Sequence, residues 1–138
     1  MSGKNLLVRI APLVVLACTV VTVAAAQTPK QTATEFYTAY RAAFQKAKAI
    51  EDLAPLQSKE IKAEIESTPA AERPKMFEFV KEMSKSMTNV KVVKETKTPE
   101  GVTLTVEAMD GTEKMTGQVK VVNEGGTWKM GRESWSNK

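Results

Sequence analysis

The chain has 138 residues, with 20 Lys and Arg against 16 Asp and Glu, one Cys and no His. That length accommodates one domain with a real hydrophobic core. A net charge of +4 with interspersed signs is no nucleic-acid footprint, and the lack of His excludes His-ligated zinc and every Ser-His or Cys-His catalytic pair.

Lys4 and Arg9 open the chain, the segment 10–23 is nearly all apolar, and Ala24, Ala25 and Ala26 place small residues before Gln27. A charged start, an apolar middle and a small-residue end form the pattern of a secretory signal, cleaved here between Ala26 and Gln27. The stretch between Arg9 and Gln27 holds 17 residues, short of the roughly 20 of a spanning helix, so an uncleaved anchor is one alternative. Cys18 opens another: Val15, Leu16, Ala17 and Cys18 resemble a lipobox, whose cysteine becomes the lipid-bearing amino terminus. Against it, residues 19–26 stay apolar where a polar tether is usual. Cleavage leaves 112 residues with 18 basic and 16 acidic side chains, and neither Cys nor His. An exported chain of this kind, in the periplasm or outside the cell, holds together by packing without disulfides. Carboxylates, Lys, Tyr, Ser and Thr are the groups left to it for chemistry.

Residues 27–33 are polar and read as a tether, and the domain is expected over 34–138. Phe36, Tyr40, Ala43, Phe44 and Ala47 recur at helical spacing and predict a first helix over about 34–49, capped at Thr32 or Thr34. Leu53, Leu56, Ile61 and Ile65 predict a second helix, with Pro55 near its start, Asp52 as its cap and Pro69 beyond its end. Pro74 suits the first turn of a third, whose stripe is Met76, Phe77, Val80, Met83 and Met87. The period then changes to two. Strands are expected at 90–97, 102–108, around Met115 to Val121, and at 127–135, joined by turns at Pro99-Glu100, Asp110-Gly111 and Gly125-Gly126. Short turns make an antiparallel meander, and three N-terminal helices cover its apolar face, which defines an α+β fold.

Helices followed by a four-stranded meander, with Gly126, Thr127, Trp128, Lys129 and Met130 opening the last strand, resemble the nuclear transport factor 2-like superfamily. Its architecture is the cystatin-like α+β roll, and the resemblance points to its small exported bacterial members. It implies a curved sheet and a helix enclosing a cone whose open end is often a pocket for a small apolar molecule. Some members of that superfamily are isomerases or dehydratases and many are binding or accessory domains, so fold alone does not assign function.

Tyr40, Phe44, Trp128, Met130 and Arg132 are the expected lining of that cone. With a regular pleat Trp128, Met130 and Arg132 share one side, and an inward Arg132 would hold an anionic group. The alternatives for Arg132 are a bulge at Gly131 that turns it outward and a partner carboxylate on a helix. Asp110 falls in a turn, and Glu107 and Glu133 are read on the solvated face, which leaves no catalytic set. Trp135 is read as packing, or as lining a pocket mouth or a partner surface. The expectation is an exported, non-enzymatic binding or accessory domain for a small apolar or anionic ligand, without metal or cofactor and without a nucleic-acid partner. It has no membrane attachment after cleavage unless Cys18 is lipidated. The alternative is an envelope interaction module or homodimer using the sheet face, and the third reading, an isomerase-like enzyme, requires a carboxylate buried near Tyr37 or Tyr40.

Overall fold

The structure, a computed structural model, describes residues 29–137. The readings of a signal segment, of cleavage between Ala26 and Gln27 and of lipidation at Cys18 lie outside the described residues. The elements run α1 (Ala33–Lys46), a 3-10 helix (Ile50–Leu56), α2 (Lys59–Ser67), α3 (Arg73–Ser86), β1 (Met87–Thr98), β2 (Gly101–Asp110), β3 (Glu113–Glu124) and β4 (Thr127–Asn137). The strands pair antiparallel in sequence order. This is the expected α+β arrangement of helices followed by a four-stranded meander.

Thr32 starts α1 with a reciprocal cap. Its hydroxyl accepts from the Glu35 amide at 3.1 Å, and the Glu35 carboxylate accepts from the Thr32 amide at 2.8 Å. Two amides that a first turn leaves unpaired are thereby satisfied. Ala33, Phe36 and Tyr37 pack on the sheet against Val102, Leu104, Val106, Val119, Val121 and Met130. Leu104, Val106, Val119 and Val121 have no exposed surface, and burying each side chain contributes roughly 1.5–3 kcal/mol. A second cluster joins Phe44, Ala47, Ile50, Leu53 and Phe77, so α1 carries the sheet on one side and α3 on the other.

The second helix departs from the single run expected over Leu53 to Ile65. It breaks into the 3-10 helix and α2 at Gln57 and Ser58, which leave the helix to meet β4. Gln57 bridges Met130, and the Ser58 amide donates to the Met130 carbonyl at 2.8 Å. Pro55 has no amide with which to continue a helical ladder through this point. The Ser58 hydroxyl then caps α2 by accepting from the Ile61 amide at 3.3 Å. Asp52 does cap, but in the 3-10 helix, accepting from the Lys48 and Ala49 amides at 2.9 and 3.1 Å. Those two bonds hold its carboxyl below the usual range.

One register slip shapes β4. Val119 faces Glu133 and Val121 faces Met130, so Gly131 and Arg132 together oppose Lys120. A β-bulge of this kind inverts the in-out alternation of everything beyond it. A Cβ on Gly131 would lie 2.8 Å from the Lys120 carbonyl oxygen, so the bulge suits a residue without one. Past it, Arg132 turns outward, and Glu133 and Trp135 turn toward the helices.

Candidate functional site

The bulge corrects two expectations at once. Arg132 does not point into the concave face. Its side chain is 66 % exposed and pairs with Glu60 at 2.9 Å and Glu64 at 3.4 Å, both on α2. The bulge at Gly131 and the helix carboxylate partner, alternatives in the sequence, occur together. Glu133, read as solvated, instead lies on the concave side, its side chain only 26 % exposed. Glu107 keeps its expected place on the outer face, between Lys91 at 3.9 Å and Lys114 at 3.6 Å.

Between α1, α2, α3 and the second half of β4 lies a cavity of about 390 Å³. Phe44, Ile61, Ile65, Val80, Met83 and Met130 supply its apolar walls. Tyr40, Phe44 and Met130 therefore line the site as expected. Trp128 faces the same side of β4 but lies at its other end, where Nε1 donates to the Gln31 carbonyl at 2.8 Å. Gln31 belongs to the segment read as a tether, and Ala33, two residues on in the same segment, is buried in the core.

On the helical side of the cavity α3 packs on α1. Phe77 sits edge-on to Phe44 with ring centroids 5.4 Å apart, and Gln45 donates to the Ser84 hydroxyl at 3.0 Å. Of the expected α3 stripe only Phe77 is fully buried. Val80 and Met83, 44 % and 48 % exposed, face the cavity instead of closing it.

Polar groups gather around Glu133. The Tyr37 hydroxyl donates to Glu133 Oε1 at 3.1 Å, and the Trp135 indole donates to the same oxygen at 2.6 Å. Arg41 Nη1 stands 3.9 Å from that oxygen and 3.5 Å from the Tyr37 hydroxyl, with its guanidinium 5.9 Å above the Tyr37 ring. Three contacts thus converge on Oε1, while Oε2 has no hydrogen bond among the described residues. Burial, then the Glu133 charge, pushes the Tyr40 hydroxyl up to about 12, with a hydrogen bond from Gln57 acting the other way. The same two causes lead in raising Tyr37 further, against an opposing bond and charge from Arg41. Both phenols are held in the neutral form.

Trp135 closes this end by lying across Gly117, its direct cross-strand partner. A Cβ on Gly117 would stand 2.8 Å from two indole carbons. Trp135 therefore lines the cavity, one of the roles weighed for it. Sequence reasoning missed Glu133 and Arg41 as members of the site. Tyr37 and Arg41 are four apart on α1, and Glu133 and Trp135 are two apart on β4. Those spacings place each pair on one face, but neither places the two faces opposite each other.

Among the described residues no group of His, Cys, Asp and Glu is arranged to hold a metal ion. No helix among them is long and apolar enough to cross a membrane. No curated protein and no solved structure matches the chain. Residues 22–131 match the family described as a domain of unknown function, DUF4878, a span that includes every helix among the described residues and the strands β1 to β3. With most of its length covered by that match, the chain belongs to this family.

Proposed function

We propose that the chain is an exported, non-enzymatic binding domain of nuclear transport factor 2-like architecture, whose cavity receives one small, largely apolar molecule. The cavity carries this reading. Had the Phe and Met side chains filled the cone, no ligand could enter. Instead about 390 Å³ stays open between apolar walls, in the lower part of the roughly 300–1,000 Å³ range of small-molecule pockets. The sheet-face dimer finds less support, because β2 and β3 present Thr103, Thr105, Glu107, Gln118 and Lys120 outward, two of these joined by a bond from Gln118 to Thr105. Mass spectrometry of the mature amino terminus tests how the export signal ends, with Gln27 as the expected first residue and a lipidated Cys18 as the contrary result.

Binding is tested with N-phenyl-1-naphthylamine, a neutral apolar fluorophore. One saturable site per chain with blue-shifted emission is expected, and Val80→Arg should abolish it by filling the mouth. Absence of saturable binding by the unaltered protein would refute the reading. One observation favours a second reading, a proton-transferring enzyme: Glu133 is the carboxylate beside Tyr37 and Tyr40 that such chemistry requires. Against it, donors already occupy Oε1, and no second donor pair stands opposite Oε2 among the described residues. Exchange of a ligand's carbon-bound hydrogen with solvent deuterium, lost in Glu133→Gln, would favour the enzyme.

A further inference from the structure

We infer that the molecule taken up is an uncharged amphiphile with a hydroxyl end, which donates its proton to Glu133 Oε2. The inference rests on the cavity reading above and gives it a chemical class.

Three observations carry it. First, the walls are apolar, and the carboxylate is a hydrogen-bond acceptor among them, with one oxygen tied by Tyr37 and Trp135 and the other without a partner among the described residues. The Glu133 side chain is 26 % exposed, so water reaches it; an occupant that displaces this water leaves an acceptor unpaired unless it supplies a donor itself. Second, the carboxylate is already balanced. Arg41 stands 3.9 Å from Oε1, so the local charge is close to zero before anything binds. An ammonium end would bring an uncompensated cation into the cavity, and a carboxylate end would face Glu133 with like charge. Both lose to a neutral donor because a desolvated charge needs a partner of its own. Third, Tyr40 in the lining and Tyr37 behind Glu133 are kept protonated, so neither phenol adds a second anion to recruit a cation.

The test uses four eight-carbon probes of one shape: 1-octanol, octane, octanoate and octylammonium, titrated calorimetrically into the purified protein at neutral pH. We expect 1-octanol to bind about tenfold more tightly than each of the others, since a hydrogen bond to a charged group outweighs what octane forgoes. Glu133→Gln should weaken 1-octanol by roughly fivefold while leaving octane unchanged, because a neutral acceptor makes a bond of about half the strength. Arg41→Met should reverse the order of charges. With the balancing cation gone, octylammonium should overtake 1-octanol. This second variant keeps the inference testable if Glu133→Gln does not fold by circular dichroism. Equal binding of octane and 1-octanol, or tighter binding of octylammonium or octanoate to the unaltered protein, would overturn the hydroxyl inference and leave the apolar cavity reading standing. No binding of any of the four, together with no binding of N-phenyl-1-naphthylamine, would overturn both.

Discussion

Gly117→Ala offers a direct trial of the contact that closes the cavity. The added Cβ would lie 2.8 Å from Trp135 Cδ2 and Cε3 and 2.8 Å from Val106 Cγ2, closer than side-chain atoms pack. Val106 is fully buried and has little freedom to move, so the half-buried indole must give way. Moving it disturbs the 2.6 Å bond from Trp135 Nε1 to Glu133. Overpacking costs about 1–3 kcal/mol, and a bond to a charged group is worth about 1.5–3 kcal/mol. Glu133 retains some access to water, which replaces part of that bond, so the sum expected is about 2–4 kcal/mol. For a domain of this size that lowers the melting temperature by roughly 8–16 °C. Urea unfolding of Gly117→Ala, Trp135→Ala and the double variant is the assay. Trp135→Ala removes the clash with the ring and leaves the one with Val106, so Gly117→Ala in that background should cost about 1–2 kcal/mol, leaving a coupling energy of about 1–2 kcal/mol. Simple addition of the two single costs would refute the claim that Gly117 makes room for Trp135.

Further outcomes follow from the same geometry. Tyr40 ionises at about 12 in the fold against 10.0 for the free phenol. The unfolded chain therefore loses this proton first, and stability falls as pH rises from about 10 to about 12, by roughly 2–3 kcal/mol at most from this residue. Urea midpoints measured across that range should fall less steeply for Tyr40→Phe, and identical slopes would refute the assignment. Arg132→Ala should leave the urea midpoint unchanged, because its pairs with Glu60 and Glu64 are exposed; a marked loss would mean that Arg132 packs inward after all. Thr32→Ala should cost about 0.5–2 kcal/mol through loss of the α1 cap, read by the same unfolding assay.

Much of the fold was legible in the sequence because it follows from local pattern. The alternation of Val102, Leu104, Val106 and Ala108 fixes the inner face of β2, and all four are buried. The cap at Thr32, one of the two candidates, the Pro74 start and the glycine-bearing turns likewise depend on residues a few positions apart. The second helix was misread because its break is not local. Gln57 and Ser58 leave the helix to bond Met130, a partner far along the chain that the 53–65 periodicity does not reveal. The α3 stripe is apolar as its spacing predicts, yet Val80 and Met83 line the cavity. Its hydrophobic spacing is the same whether Val80 and Met83 meet protein or line a space.

The candidate site turned on one residue of register. Regular alternation through Gly131 would have placed Arg132 inside and Glu133 outside. The cavity would then have held two cations, Arg132 and Arg41, without a carboxylate to balance them, which is the composition of an anion site. The bulge exchanges the two side chains. Arg132 finds Glu60 and Glu64 on the outer surface, and Glu133 meets Arg41, Tyr37 and Trp135 within. Every charge so placed has a partner, and the cavity changes from cationic to nearly neutral with one acceptor oxygen in hand. The expectation of an anionic ligand loses the inward Arg132 on which it was argued, whereas Phe44 and Met130, on which the apolar one was argued, line the cavity. Thus a glycine that admits a bulge does more to set the chemistry of this site than any of the charged residues whose positions it decides.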